Sequence, residues 1–439
     1  MEASPIERVG PPPTTLRARV REARKSGTAS AAGLAIATIA QQLLAVVFTV
    51  VFTRILGTEG YGSLAALLSL TVILLVPGSA LQVAAARQGT LGRLGRGGEL
   101  AATLDRWTRH LLAGMVVVAA VSALAREPLA ALVNVEQEWA AAAVPVAAAM
   151  WLLLSVQRGL LQAAQAYRPV AWSIVLEGLG RVVVALAFVG AGLGVTGAYL
   201  GTLAAWVAAS AALWVVLRRR LGPARRDTPK HPLRALARSG AVPIAALVLV
   251  AALQNVDVIM ANHALGGDAS SVYAATTVAA KFIVWVAVGI GLWVLPEATR
   301  RAAAGLDPRT VLARALALIA VLAVPALVIF AVIPSLLLRV AFGGDYESGD
   351  AILALLGVAF ALLACTYVAV QFMLGLHRRR FVAVLAVAAV VEPVLLAGAD
   401  DLTGFAVRVL AVQAAAAVAI VALGARVRRD PLAGAEPVL

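Results

Sequence analysis

The sequence predicts an all-α polytopic membrane protein of about twelve transmembrane helices, built as two six-helix bundles related by a parallel pseudo-repeat. Three observations predict this. First, 62% of the 439 residues are hydrophobic and only 14% charged, whereas soluble domains carry about 25% charged residues. Second, uncharged apolar runs recur along the chain, among them Ser26–Thr53, Gly60–Ala86, Trp139–Gln157 and Ala351–His377. Each approaches or exceeds the roughly 20 residues that cross about 30 Å of hydrocarbon as a helix. Third, of 37 Lys and Arg residues, 31 fall in alternate segments between the runs, and only Arg54, Arg126 and Arg339 fall in the opposite set. The acids divide about evenly between the two sets. The net charge of +14 is therefore a topological bias rather than a nucleic-acid-binding surface. By the positive-inside rule it places both termini in the cytoplasm.

In chain order the expected spans lie near 29–53, 63–86, 109–125, 139–158, 170–193, 196–217, 239–263, 271–296, 311–334, 350–374, 380–398 and 403–424. Val182–Leu217 runs 36 residues without a charge. The glycines of Gly190–Gly194 divide it into a tight hairpin, because glycine punctuates helices. Residues 1–28 are polar, Pro-rich and basic, with no cleavage pattern of a signal peptide. They form a cytoplasmic arm, either solvated or docked through Arg17–Lys25 on anionic lipid. The bundles then occupy 29–217 and 239–425, joined by the basic linker 218–238 and followed by a cytoplasmic tail, 426–439. Arg158 and Arg168 are counted with the cytoplasmic segments. The single cysteine, Cys365, excludes disulfides within the chain and Cys-based metal sites. The four histidines have no ligand spacing, so no metal or cofactor is expected.

Six spans precede the linker and six follow it, and a weak repeat links the halves at a 209-residue offset. Leu56-Gly57-Thr58-Glu59-Gly60-Tyr61 lies over Leu265-Gly266-Gly267-Asp268-Ala269-Ser270, and Ala65-Ala66 over Ala274-Ala275. A repeat after an even number of spans keeps its orientation, so the relating axis runs along the membrane normal, an arrangement used by secondary transporters.

These residues also carry a family resemblance. Thr53–Gly62 resembles the entry motif of bacterial Wzx-like polysaccharide flippases, within the multidrug/oligosaccharidyl-lipid/polysaccharide (MATE-like) exporter superfamily. Asn255 and Asp257, with Leu265-Gly266 and Tyr273–Ala275, resemble the same family at its seventh and eighth helices, as do Arg158–Gln162 with Tyr167 between the fourth and fifth. The similarity covers about residues 28–425. It implies two six-helix bundles meeting in a V around a cavity. The implied activity is transfer of an undecaprenyl-diphosphate-linked glycan from the inner to the outer leaflet by alternating access. The implied partners are that glycan, the lipid bilayer, and a polysaccharide polymerase and glycosyltransferases; the protein is expected to be a monomer in the bacterial cytoplasmic membrane.

Such a cargo needs cations for its diphosphate, with Arg suited by its planar paired donors, and amides for its sugars. Ionisable residues inside a membrane are costly and mark functional sites. Six lie more than one turn inside the expected spans: Glu177, Arg181, Asp257, Lys281, Glu392 and Arg408. We take Arg54, Arg181, Lys281, Arg408, Gln41 and Asn255 as substrate-binding candidates, and Asp257, Glu177 and Glu392 as ion-coupling or salt-bridge candidates. Structural readings stand beside these. Glu177 and Arg181, spaced i,i+4, pair locally in one of them. Asp257 and Lys281 bridge consecutive helices, Arg408 snorkels outward, Arg54 braces its own loop through Glu59, and Gln41, Gln42 and Gln254 bond between helices. For Asp257 we favour the transport role.

Two rival functions remain within the superfamily: a MATE-type drug/cation antiporter and a lipid II-type peptidoglycan-precursor flippase, although relatives of the second kind commonly carry two further helices. A membrane-embedded glycan transferase or ligase is the rival from another class. It would need a large outer domain, yet the longest outer segments, near 126–138 and 335–350, are under twenty residues. With no nucleotide-binding motif, no enzymatic activity is expected, and the driving energy is an ion, potential or substrate gradient.

Overall fold

A computed structural model describes residues 27–95, 97–225, 231, 233 and 241–427. Nearly all of the N-terminal arm, much of the 218–238 linker and most of the 426–439 tail lie outside the described residues. The described chain is helical throughout, in the order α1 Gly27–Thr90, α2 Gly98–Leu124, α3 Arg126–Val133, α4 Glu138–Ala163, α5 Tyr167–Phe188, α6 Gly194–Leu221, α7 Ala241–Ala264 and α8 Gly267–Ala280. It continues through α9 Phe282–Ala303, α10 Arg309–Val332, α11 Pro334–Ala341, α12 Asp350–Gly375, α13 Phe381–Leu396 and α14 Leu402–Ala425.

Helix α1 contains the first two spans. As one straight rod its 64 residues would reach about 96 Å, some three times the hydrocarbon thickness. It breaks at Gly57, whose φ of 62° and ψ of −169° suit a residue without Cβ. The Tyr61 hydroxyl lies beside the Thr49 side chain, although twelve residues of straight helix would separate them by about 18 Å; the chain has folded back. The second hairpin forms where the glycines predicted it. A π-helical turn, Val189–Leu193, joins α5 to α6, and a Cβ added to Gly201 of α6 would sit 2.6 Å from the backbone of Ala185 of α5. Glycine there lets the two helix backbones touch, the usual device of close packing in lipid.

Among the described residues, nine stretches are long and apolar enough to cross a membrane, and two of them, Ile36–Thr90 and Tyr167–Leu221, run 55 residues each. Each of these is one of the hairpins and counts as two spans; with the shorter apolar Phe381–Leu396, the described residues contain the twelve expected crossings. Helices α8 and α9 form one span, interrupted at Lys281. The segments near 126–138 and 335–350 hold the short helices α3 and α11.

Two buried apolar clusters form the interior. One draws on residues from Ala37 to Leu217 and adds Ile259; the other draws on residues from Ala246 to Ile420 and adds Tyr61 and Ala65. Each half thus lends side chains to the core of the other where α1 meets α7 and α8. The repeat is visible in the backbone. Gly266, 209 positions after Gly57, has φ 61° and ψ 171°, nearly the same conformation. Gly62 and Ser271, also 209 apart, touch directly: the Gly62 amide donates to Ser271 Oγ at 2.7 Å. Equivalent positions meet each other only near a two-fold axis, so the pseudo-axis passes between these two turns.

Candidate functional site

The N-terminal half buries its charge around Glu177 on α5, which is 5% exposed. Its carboxylate accepts from Arg158 Nη2 at 2.6 Å, Gln41 Nε2 at 3.0 Å and Trp206 Nε1 at 2.9 Å. The donors come from α4, α1 and α6, so one carboxylate ties three helices to its own. Arg158 also donates through Nε to Ser173 Oγ at 3.0 Å and lies over the Trp151 ring. Two expectations are corrected here. Arg158 is not a loop residue at the cytoplasmic face; it is 3% exposed within α4. Glu177 does not pair with Arg181; it is taken by Arg158, and Gln41 bonds between helices.

Arg181, one turn further along α5, is left without a carboxylate. Its guanidinium stacks on Phe48 at 3.8 Å from the ring centroid, and its buried Nε has no hydrogen-bond partner. Tyr61 and Tyr199 flank it. The side chain is only half-buried, so a cation with spare donors sits against aromatic rings and reaches solvent-accessible space.

The C-terminal half collects the opposite balance. Asp257 on α7 is 0% exposed; its Oδ2 accepts from the Tyr273 hydroxyl at 2.9 Å, and its Oδ1 lies 3.8 Å from Lys281 Nζ without a hydrogen bond. The bridge between consecutive helices is therefore present but loose. Glu392 on α13, also fully buried, accepts from Gln413 Nε2 of α14 at 3.0 Å, and its other oxygen has no partner. Asn255 turns its amide back to the Ala251 carbonyl.

The halves repeat a device that sequence spacing hid: a glutamate on the fifth span accepts from a side chain on the sixth, Glu177 from Trp206 and Glu392 from Gln413. Their charge balance differs. Counted by residue type, Arg158 and Arg181 outnumber Glu177 by one base, whereas Asp257 and Glu392 outnumber Lys281 by one acid. Isolated charges in such surroundings are expensive, so the extra base is a place that an anion would stabilise and the extra acid one that a proton or cation would.

A hydrogen-bonded seam joins the halves at the end that carries Gly57 and Gly266. Arg54 does not brace its own loop through Glu59; its Nη2 donates to the Val340 carbonyl of α11 at 2.9 Å. The Tyr346 hydroxyl donates to the Thr53 carbonyl, and Ser271 Oγ to the Thr58 carbonyl. Asn134 and Asn262 exchange bonds reciprocally, Asn134 Nδ2 to the Asn262 carbonyl at 2.6 Å and Asn262 Nδ2 to the Val133 carbonyl at 2.9 Å. Arg408, on α14, lies apart from both clusters. It is half-buried, and its Nη1 donates to the Leu395 carbonyl at 3.0 Å. The sequence marks the charged members of both clusters, Arg158 only through the family-like segment Arg158–Gln162, since its place at a span end assigns it to the cytoplasmic face. Tyr273 stands in the family-like segment Tyr273–Ala275, whereas Trp206 and Gln413 carry no signal beyond being polar groups in apolar runs.

This arrangement has counterparts. The chain aligns with the inward-facing conformation of a multidrug-resistance MATE family transporter of the MOP superfamily at 13% identity and a TM-score of 0.73, covering 88% of this chain and 94% of that one. The fold is that of the MATE transporters. An outward-facing conformation of a MATE family transporter aligns less closely, at 14% identity, TM-score 0.58 and coverage of 90% and 94%. A MOP superfamily transporter from Pyrococcus furiosus, whose binding pocket is described as of reverse polarity, aligns at 15% identity, TM-score 0.55 and coverage of 90% and 93%. A family model described as "Polysaccharide biosynthesis protein" matches residues 102–295, which run from α2 into α9 of the MATE fold. No curated protein matches the sequence.

Proposed function

We propose that this MATE-fold protein moves a polyprenyl-diphosphate-linked oligosaccharide from the inner to the outer leaflet of a bacterial cytoplasmic membrane by alternating access. The observation that carries the reading is the surplus cation, Arg181, which Glu177 would neutralise if Arg158 did not hold that carboxylate. A diphosphate is the counter-charge that a planar guanidinium with free donors recognises. The acid surplus of the C-terminal half, Asp257 and Glu392, suits coupling to a proton or a monovalent cation. Wzx-like activity also agrees with the polysaccharide-biosynthesis family match. A MATE-type antiporter for cationic drugs is the second reading, favoured by the fold and by the acidic half, but it leaves the Arg181 surplus without a task.

The higher similarity to the inward-facing neighbour supports a state closed at the seam. If the Gly57 and Gly266 turns are outermost, as the basic residues imply, Arg54, Ser271 and Tyr346 form the outer closure that must part for release. The deciding experiment is reconstitution in liposomes, with appearance of lipid-linked glycan in the opposite leaflet as readout; transport of a cationic dye without glycan transfer would select the antiporter. In a Cys365→Ser background, Gly62→Cys with Ser271→Cys should cross-link under oxidation, because a Cβ at Gly62 falls 2.7 Å from Ser271 Oγ. The cross-link should stop transfer and a reductant should restore it. Unimpaired transfer by the cross-linked protein would show that the seam does not open.

Orientation has its own test. Single cysteines at Asp268, Glu347 and Asp400 should react with an impermeant reagent in intact cells, and cysteines at Arg219 or Arg225 should not. The reverse pattern would invert the topology and place the seam at the cytoplasmic face.

A further inference from the structure

A groove of about 500 Å³ runs along the membrane-facing surface between α13 and α14, outside both charge clusters and the seam. Its α14 wall includes Ala411, Ala415 and Ala419 beside Val412, and its α13 wall includes Val387, Val391 and Leu395. From Ala383 to Leu395 it extends about 18 Å along α13, more than half of the ~30 Å hydrocarbon core. The Leu395 end carries a cation. Arg408 is one turn from Ala411 on the same face of α14, and its guanidinium bonds to the carbonyl of Leu395 itself. That single bond uses one of five N–H donors, and among the described residues no carboxylate forms an ion pair with Arg408. The bond holds the guanidinium at the end of the apolar trough. The surface therefore has the two parts of an anionic-lipid site in register, a trough for a hydrocarbon chain and, at its mouth, a guanidinium for phosphate.

We propose that this groove binds the isoprenoid chain of the carrier lipid, with the lipid's phosphate at Arg408; the choice of carrier lipid rests on the function proposed above. Groove and transport machinery share an element. On α13, Glu392 follows Val391 of the groove and stands one turn beyond Ala388, with its side chain buried against Gln413 of α14. A chain seated in the groove thus lies against the helix that also carries a buried acid of the C-terminal half.

The test uses the full-length protein in nanodiscs and a photoreactive polyprenyl diphosphate without sugar, with cross-linked residues mapped by mass spectrometry. Label should concentrate in 383–395 and 411–419. Ala415→Trp, which fills the trough from an exposed position, should remove at least nine-tenths of it. Val418→Trp, also on α14 at a 70% exposed position outside the groove, should change nothing. Arg408→Gln should weaken labelling about tenfold and Arg408→Lys should recover part of it. Phosphatidylglycerol in large excess should not displace the probe; displacement mole for mole would show a general anionic-lipid surface and overturn the assignment. Label spread evenly over the lipid-facing helices, or unchanged by Ala415→Trp, would also overturn it. Glycan transfer by the wild-type protein separates the two readings. Transfer with no groove labelling rejects the groove alone, whereas no transfer together with groove labelling mapped as above rejects the proposed function and leaves a lipid-binding surface.

Discussion

Arg158→Met should abolish glycan transfer, and Glu177→Gln in the same chain should restore part of it. In the native arrangement the 2.6 Å Arg158–Glu177 bond satisfies the carboxylate and leaves Arg181 uncompensated. Removing Arg158 costs about 3–5 kcal/mol, as breaking a buried pair does. It also releases Glu177 to its i+4 neighbour on α5, Arg181, a contact within reach on any helix. The single variant should therefore lose both stability and anion binding. Neutralising Glu177 as well removes the stranded acid and frees Arg181 again. Arg181→Gln is the complement: it should keep the melting temperature near wild type while binding of a polyprenyl diphosphate, measured throughout in an Ala415→Trp background that blocks the surface groove, falls at least tenfold. Melting temperature and diphosphate binding, measured on the wild type and these three variants, discriminate. If binding simply follows stability across the series, and Arg181→Gln binds normally, the cluster is structural and Arg181 is not a cargo contact.

The second large effect is expected at Asp257. Lys281→Met strands two buried acids, Asp257 and Glu392, and should destabilise the protein more than Lys281→Met combined with Asp257→Asn, which removes the nearer acid along with the ammonium. A purely structural bridge would let that double variant transport at close to the wild-type rate. The bond geometry argues otherwise: at 3.8 Å, with Asp257 Oδ1 free of hydrogen bonds, the pair is looser than the Arg158–Glu177 bond and leaves an acceptor for a coupling ion. The expected outcome is a folded double variant, by size-exclusion chromatography and melting temperature, that binds cargo but does not turn over. Normal turnover by the double variant would reduce Asp257 and Lys281 to a brace.

Much of the architecture was legible without coordinates because its causes are local. A run of about 20 apolar residues has few options in a membrane other than a helix, since every backbone amide must be satisfied internally. Glycines in the 190–194 turn and at positions 57 and 266 mark where those helices stop or fold back. The bias of basic residues and the Leu-Gly repeat are likewise written in order along the chain, and the repeat reappears as matched backbone angles at Gly57 and Gly266. Partner choice was not local. Glu177 had Arg181 four residues away and took Arg158, nineteen positions back, because packing of α4 against α5 delivers a buried guanidinium at hydrogen-bond distance while the next turn of α5 points Arg181 onto Phe48. Arg54 passed over nearby Glu59 for a carbonyl 286 residues along the chain. The sequence by itself determined which long segments are helical, how many spans they make and, Arg158 apart, which charges lie within them. Which charge meets which, and hence which one is left for a cargo, was decided only by the relative rotation of packed helices, a quantity that apolar periodicity in a lipid-facing bundle leaves free.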